Sequence, residues 1–486
     1  MRFLSRRDFI KDSAVLAALA AAGVGVGGKA SAAAKSDKET KSGDAASQLR
    51  VAVVGVHGRG QEHVHGFAGK NNCVVTTICD ADSDVIGPAM RSAEKAQGQA
   101  PKYEQDIRKV VEDKNIDIIS IATPNHWHSL AAIWGLQNGK NVYVEKPVSH
   151  NVSEGRRVVE VARKTGRLCQ AGTQSRSSTG LIEAMQFLRD GKIGKITVAR
   201  GLCYKPRGSI GKVSGPQQPP KTVDYNLWCG PAPMDPVMRK QFHYDWHWFW
   251  DYGCGDLGNQ GIHEMDKARW GLGKAELPKG VVSVGGRYGY IDDGQTANTQ
   301  ICVFDYGDSE LIFEVRGLKT DPLRDVKVGN IIYGSEGYLV IPSYSEAIAF
   351  TNDGAVIKKF SGGGDHFANF VSAVRSGKVA DLHADIEEGH ISSALCHLGN
   401  VSYRLGTEQA FGKKADALGD DKEAAETLER MEQHLKDNQV PLEEVQLRVG
   451  RNLKFDPKTE TFLGDKDADG MLTREYRKGF EVPAKA

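Results

Sequence analysis

The sequence lacks a charge imbalance, a long apolar span in its body, a paired-cysteine motif and any internal repeat. Lys plus Arg number 63 against 62 Asp plus Glu, so nothing in the charge points to a nucleic-acid partner. No apolar run in the body reaches the roughly 20 residues that cross a bilayer, and no permanent membrane span is expected. The eight cysteines form no CxxC pair and no metal-ligand spacing. Most of them read as buried thiols, and no metal site is expected. The run Asp465-Lys466-Asp467-Ala468-Asp469-Gly470 opens like a calcium loop, but its twelfth position is Tyr476 rather than a bidentate Glu, which excludes the usual cage. What remains is an ordinary globular composition over 486 residues, enough for two or three domains with sizeable cores.

The N-terminus reads as a targeting segment. Ser5-Arg6-Arg7-Asp8-Phe9-Ile10-Lys11 precedes a mildly apolar stretch from Ala14 to Gly28, and Ala30-Ser31-Ala32 offers small residues for cleavage. The arginine pair resembles a twin-arginine signal, a pathway that exports folded proteins. Residues 1–32 are therefore expected to be an export signal handled by the twin-arginine machinery, with a periplasmic destination. Residues 33–48, rich in Ala, Ser, Lys, Asp and Glu, read as a disordered tether with nothing to bury.

From Leu49 short β-branched runs alternate with helical stretches. The strands expected are Val51–Val56, Val74–Asp80, Ile116–Ala122, Asn141–Val144 and Leu168–Ala171; the helices are Gln61–Ala68, Ser83–Gln97, Ile107–Asp113, His128–Asn138 and Glu154–Thr165. That alternation argues for a parallel sheet covered by helices over residues 49–172. Beyond Gly172 a helix, Thr179–Asp190, leads to Ile196–Tyr204. Strands then follow one another without helices: Val281–Tyr290, Thr299–Tyr306, Leu311–Gly317, Asn330–Gly334, Tyr338–Ile341 and Ala347–Thr351. Residues 173–415 thus read as an α+β domain with a large, mostly antiparallel sheet, completed by helices at His366–Ser376 and His390–Leu405. Residues 416–486 read as a charged helix, Lys422–Asp437, and a tail packing on the second domain.

The first strand runs into Gly55-Val56-His57-Gly58-Arg59-Gly60 and then a helix. Strand, glycine turn and helix N-terminus together form a pyrophosphate cradle. The acid expected at the end of the next strand is Asp80, 25 residues past Gly55, suited to accept hydrogen bonds from the adenosine ribose. Asp82 and Asp84 add negative charge that repels a 2′-phosphate, so NAD is preferred over NADP. His57 stands where the fingerprint usually has its second glycine.

The third main strand ends in Thr123-Pro124-Asn125-His126-Trp127-His128 and the fourth in Glu145-Lys146-Pro147. Later come Gly172-Thr173-Gln174-Ser175-Arg176 and Gly255-Asp256-Leu257-Gly258-Asn259-Gln260-Gly261-Ile262-His263-Glu264-Met265-Asp266. With the glycine turn, these blocks resemble the Gfo/Idh/MocA oxidoreductases over nearly everything from Leu49 onward. The tail from Arg474 to Pro483 is similar to a subgroup of exported bacterial members. The resemblance implies that Thr123, Pro124, Asn125, His128, Glu145 and Gln174 help hold the dinucleotide, with Lys146 beside the nicotinamide and near the substrate oxygen. It implies that His263 exchanges the hydroxyl proton. Many family dehydrogenases carry an Asp four residues before this histidine; here that position is Asn259, which leaves the usual dyad open.

The segment His243–Tyr252 holds three of the seven tryptophans and suits either sugar stacking or a core and subunit interface. Tyr204, Arg207, Trp250 and Asp256 are taken as substrate candidates alongside His263. The function expected is a periplasmic NAD-dependent oxidoreductase acting on a CH–OH group of a sugar or polyol. Its NAD is expected to be tightly held, because free NAD is not available outside the cytoplasm. The alternatives are a glycoside-cleaving or epimerising enzyme that oxidises its sugar transiently, and a sugar-binding protein without catalysis. A homo-oligomer is expected from the antiparallel sheet of the resembled family.

Overall fold

The computed structural model describes residues 47–413 and 415–486. The expected export signal, residues 1–32, and the tether as far as residue 46 lie outside the described residues. The first sheet holds β1 (Leu49–Val54), β2 (Cys73–Cys79), β3 (Lys102–Glu104), β4 (Ile118–Ile121), β5 (Asn141–Val144) and β6 (Cys169–Ala171). All pairings are parallel, in the order β3-β2-β1-β4-β5-β6. Val51 to Val54 and Ile118 to Ile121 are buried, as strands covered on both faces must be, which is why they read as unbroken apolar runs. The strand order reverses between β1 and β4, and a crevice opens beyond the C-terminal ends of those strands. The sequence pattern missed β3, whose three residues are too short to show a period. The helix expected from Ser83 begins at Gly87 instead, with Pro88 in its first turn, where a missing N–H costs nothing.

The second sheet has twelve strands: β7 (Ile196–Cys203), β8 (Gly280–Gly286), β9 (Thr299–Asp305), β10 (Glu310–Arg316), β11 (Val328–Gly334), β12 (Gly337–Ile341), β13 (Glu346–Thr351), β14 (Val356–Ser361), β15 (Thr407–Ala410), β16 (Gln446–Val449), β17 (Leu453–Asp456) and β18 (Thr461–Phe462). Among the described residues of this sheet only β7 and β10 pair in parallel. The fold class therefore agrees with the sequence: a Rossmann domain followed by a mixed, mostly antiparallel α/β domain. Strand alternation divides the residues between two faces. Cys302 and Phe304 of β9 join Ile262, Met265, Leu395 and Leu398 from the helices Gly261–Leu272 and Ile386–Arg404. Ile301 and Val303 turn the other way, onto Ala424 and Met431 of the amphipathic helix Lys422–Asp437.

Two segments pack away from the domain their sequence position suggests. The helix His366–Ser376 lays Phe367, Phe370 and Val371 against Val64, Phe67 and Tyr143 of the first domain. His366 Nδ1 bonds the Tyr143 hydroxyl at 2.7 Å. The tail also divides. Leu453, Phe455, Phe462 and Leu472 join the core of the second domain. Phe480 does not: it packs edge-on to Trp127 of the first domain, 5.7 Å between ring centres, and beside Trp134 at 6.3 Å.

All eight cysteines are buried free thiols. Among the described residues no helix is long and apolar enough to cross a membrane, and no cluster of three or more His, Cys, Asp or Glu is placed to hold a metal ion. Asp465, in the calcium-like run, caps the short helix Lys466–Gly470 and pairs with Arg451.

Phe370 is fully buried between the helix it belongs to and the first domain. Phe370→Ala is expected to destabilise the chain by about 3–5 kcal/mol, the range for emptying a buried Phe site, read as a lowered urea midpoint. An unchanged midpoint would contradict this account of the shared core.

Candidate active site

The cleft beyond the ends of β1 and β4 has a volume of about 540 Å³, within the range of cofactor and small-molecule sites. Its floor is the glycine turn. Gly55 has φ +82°, and a Cβ there would lie 2.6 Å from the Thr123 nitrogen. The two strand ends approach so closely that only glycine fits. Gly60 opens the helix Gly60–Phe67, and a Cβ on it would lie 1.9 Å from the Gly55 carbonyl oxygen, so the turn closes tightly on itself. Gly58 is different: a Cβ there meets no protein atom within 4 Å, and the position faces the cleft. Asp80 also lines the cleft. Its carboxylate accepts from the Val56 N–H at 2.8 Å and the Asp82 N–H at 3.0 Å, so it ties the turn to β2 as well as facing the ligand space. Burial pushes its pKa up, against the pull of those two N–H groups.

Thr123, Pro124, Asn125 and His128 follow β4 and line the cleft. Thr123 Oγ1 and Asn125 Oδ1 are buried without a hydrogen-bond partner among the described residues. Orphaned polar atoms at this position fit a dinucleotide that would satisfy them. The His128 ring lies between two carbonyls, Pro147 at 2.6 Å and Thr123 at 2.7 Å, and so staples the ends of β4 and β5 together. Burial lowers its pKa although both carbonyls oppose that. Glu145 ends β5. It accepts from Arg59 Nε at 2.9 Å and lies 3.2 Å from His63 Nε2. Burial alone would raise its pKa, but the His63 hydrogen bond and the Arg59 guanidinium outweigh it and hold the carboxylate well below the usual range. Gly172 is required beside it, since a Cβ would lie 2.8 Å from that carboxyl group. Arg59 is thus committed to Glu145 rather than reaching into the cleft alone.

The second domain supplies the rest of the wall through the paired helices Gly255–Asn259 and Gly261–Leu272. Lys146, Gln174, Asn259 and His263 all line the cleft. The Lys146 ammonium donates to the Asn259 carbonyl oxygen at 2.7 Å. Burial lowers its pKa, Glu145 opposing. The Asn259 amide turns away and meets Asp256 Oδ1 at 3.4 Å. It therefore contributes its backbone carbonyl to Lys146 and nothing to His263. The His263 ring makes no hydrogen bond to any described residue; Tyr344 stands edge-on to it at 5.1 Å. Burial, then the nearby Lys146 ammonium, push the His263 pKa well below its ordinary value. The imidazole is neutral near pH 7 and open to the cleft.

Four of the five substrate candidates, Tyr204, Arg207, Trp250 and Asp256, do not line the cleft; only His263 of the five does. Tyr204 is buried and gives its hydroxyl to Glu314 at 2.7 Å; it lies past the end of β7, where the strand has carried it into the sheet's own polar cluster. Trp250 faces a separate cavity, with Arg404 5.0 Å over its ring. Asp256 is buried in a bidentate pair with Arg207, both bonds 2.8 Å, which ties up both side chains behind Asn259. Sequence reasoning missed Tyr344, which sits in the connection from β12 to β13 and carries no motif. It also missed which aromatics of His243–Tyr252 matter. A single 3-10 turn, Asp245–Trp248, brings His243, Tyr244, Trp246 and His247 to the cleft and carries Trp250 past it. His247 Nδ1 donates to the Tyr244 carbonyl at 2.6 Å. Burial pushes its pKa down to about 3, so Nε2 is left as an acceptor.

Comparison with known proteins agrees with this arrangement. Residues 49–173 match the model described as "Oxidoreductase family, NAD-binding Rossmann fold", and residues 192–438 match its "C-terminal alpha/beta domain". A glycosyl hydrolase family 109 protein of Saccharopolyspora erythraea is 29% identical over 206 residues, 40% of this chain and 45% of that protein. The scyllo-inositol 2-dehydrogenase (NAD(+)) of Bacillus subtilis is 31% identical over 158 residues, 32% and 44% respectively. The chain thus spans about half the length of the curated relatives it matches. Among solved structures, the WlbA dehydrogenase of Bordetella pertussis, in complex with NADH and UDP-GlcNAcA, superposes with a TM-score of 0.54 at 18% identity, covering 74% of this chain and 97% of that one. A levoglucosan dehydrogenase, in complex with NADH and levoglucosan, gives 0.53 at 18% identity, covering 72% and 97%. These two share the fold.

The two glycines of the turn separate packing from ligand approach. Gly60→Ala forces a backbone clash and is expected to lower both the melting midpoint and NAD affinity. Gly58→Ala is expected to leave the melting midpoint unchanged while weakening NAD binding. Thermal melts with and without NAD distinguish them, and a wild-type midpoint for Gly60→Ala contradicts the closed-turn account.

Proposed function

The chain belongs to the Gfo/Idh/MocA oxidoreductase family, and from that premise we propose that it oxidises a CH–OH group of a sugar or polyol with a tightly held NAD, in the periplasm after twin-arginine export. The observation that carries this reading is the presence of Lys146 and His263 on the same cleft as the glycine turn. The turn, Thr123 and Asn125 would hold the dinucleotide, and Asp80 with Asp82 favours NAD over a 2′-phosphorylated cofactor. A bound NAD supplies the hydride acceptor.

The protein's own groups account for the proton and the oxygen. His263, neutral and open to the cleft, takes the hydroxyl proton of the substrate at a ring nitrogen. The Lys146 ammonium, held by the Asn259 carbonyl, offers a further N–H to the same oxygen and stabilises negative charge as the proton leaves. His247 Nε2 and Gln174 are additional cleft groups able to bond sugar hydroxyls, and Trp246 supplies an aromatic face. Export with a bound cofactor is supported by the signal-like residues at the N-terminus. A homo-oligomer is part of the proposal, supported by the open sheet edge at β14, where Val356 and Ile357 are exposed.

A second reading, glycosidic-bond cleavage, is favoured by the similarity to glycosyl hydrolase family 109 proteins and by the missing carboxylate partner of His263. Release of nitrophenol from aryl glycosides without net accumulation of NADH would select it.

Protein purified without added cofactor is expected to release close to one NAD(H) per chain on denaturation. A protein that is empty and also fails to bind added NAD overturns the reading. Lys146→Ala and His263→Ala are each expected to lower kcat by about 10²–10⁴-fold, with NAD content retained. Because burial depresses the His263 pKa from 6.5, the base stays neutral as pH falls through 6.5, and the acidic limb of kcat/KM lies well below that value. The same depression means that the unfolded chain binds the proton first. The His263 contribution to stability is present above about 6.5 and is lost as pH falls toward the folded-state pKa. An acidic limb at or above 6.5 contradicts His263 as the base.

A further inference from the structure

We infer that residues 222–247 form a strap that retains the dinucleotide, and that the pairing of His243 with Asp82, seated on His57, is its latch. This rests on the dinucleotide reading above and adds to it the residues that set how slowly the cofactor leaves.

The strap begins where the second domain lies along the end of β2. The Ser83 N–H donates to the Thr222 carbonyl at 3.1 Å and the Asp224 N–H to the Ala81 carbonyl at 2.9 Å, with Val223 bridged to Asp82. It then runs onto the end of β4. Trp127 Nε1 donates to the carbonyls of Leu227 and Trp228, each at 3.0 Å, and His126 Nε2 bonds the latter at 3.0 Å. Gly230 passes so near the Trp127 indole that a Cβ would lie 2.2 Å from it. Both attachments are to loops that carry the dinucleotide-facing residues, and Leu227, Trp228 and His243 line the same cleft as Gly55, Gly58 and Asp80. A dinucleotide lying along the strand ends is therefore held between the glycine turn and a segment from the other domain.

His243 closes the strap. Its Nε2 lies 2.8 Å from Asp82 Oδ2, and its ring stacks on His57 with centres 4.5 Å apart. Asp82 is 2% exposed and fixed in aim, its other oxygen accepting the Asp84 N–H at 2.9 Å. The histidine at the fingerprint's second glycine position thus has a partner: His57 is the platform against which the latch rests. Opening the cleft at this end requires breaking a part-buried hydrogen bond and a ring stack together.

The measurement is the rate at which bound NADH leaves, followed by fluorescence on adding excess NAD, for wild type and four variants. His243→Phe keeps a ring on His57 but removes the bond; Asp82→Asn removes the charge with little change of shape; His243→Ala removes both bond and stack; the fourth combines His243→Phe with Asp82→Asn. Each single variant is expected to release NADH at least about tenfold faster, corresponding to roughly 1.4 kcal/mol. His243→Ala should be the fastest, and the double variant no faster than its faster parent, since the two residues share one bond. Wild-type rates in His243→Phe and Asp82→Asn, or additive rates in the double variant, overturn the latch. A wild-type protein that binds no NADH overturns the dinucleotide reading instead.

Discussion

The carboxylate of Glu145 is buried, and a buried charge is tolerable only when its partners come to it. Arg59 arrives from the glycine turn, His63 from the first helix, and the Lys146 N–H from the next residue. Gly172 stays bare to leave room. Three separate pieces of chain are therefore fixed by one charge: the turn that faces the cofactor, the helix whose N-terminus points at it, and the strand end that bears Lys146. His63 extends the network to Ser120 on β4 at 2.8 Å. Removing the carboxylate would leave Arg59 without its partner in a half-buried setting, and the turn would lose its tether to β5. The pocket's floor is in this sense built around a group that does not itself need to react.

The chemistry on the far wall follows from what His263 lacks. A histidine held by a carboxylate would be more basic and more fixed in direction. Here Asn259 gives its amide to Asp256, which is already bound to Arg207. The imidazole is left neutral beside an ammonium, edge-on to the ring of Tyr344 and without a hydrogen bond to any described residue. Such a base suits a substrate whose own hydroxyl completes the orientation. Lys146 and His263 are coupled through the short connection from the Asn259 carbonyl to the helix that begins at Gly261, so a shift of one helix end moves both groups.

Much of this was legible in the residues, and the failures have physical reasons. β1, β2 and β4 announced themselves because strands buried on both faces must be apolar throughout. Gly55 and Gly60 were legible because no other residue fits where a turn meets backbone. Lys146 and His263 were picked out by the family-like blocks that carry them, Lys146 also by its place at the end of a buried strand. The three residues of β3 and the lysine-rich β14 show no readable period. Tyr204 was misread because strand alternation, not proximity to a loop, decides which face receives a side chain. Trp250 was preferred to His243 and His247 because composition cannot reveal a single 3-10 turn within an aromatic run. Tyr344 reaches the cleft from a connection between two distant strands, and no local pattern encodes such an approach.

The helix His366–Ser376 completes the core of a domain whose sheet ends at Ala171. Synthesis runs in one direction, so Tyr143 and Phe67 leave the ribosome about 230 and 300 residues, respectively, before Phe370 can cover them. At about 5–20 residues per second that delay is on the order of 10–60 s. During it the nascent first domain carries an aromatic face with no native cover, which is the kind of surface a holding chaperone binds. The order in which the chain is made therefore obliges the cell to wait for the second domain before the first is finished.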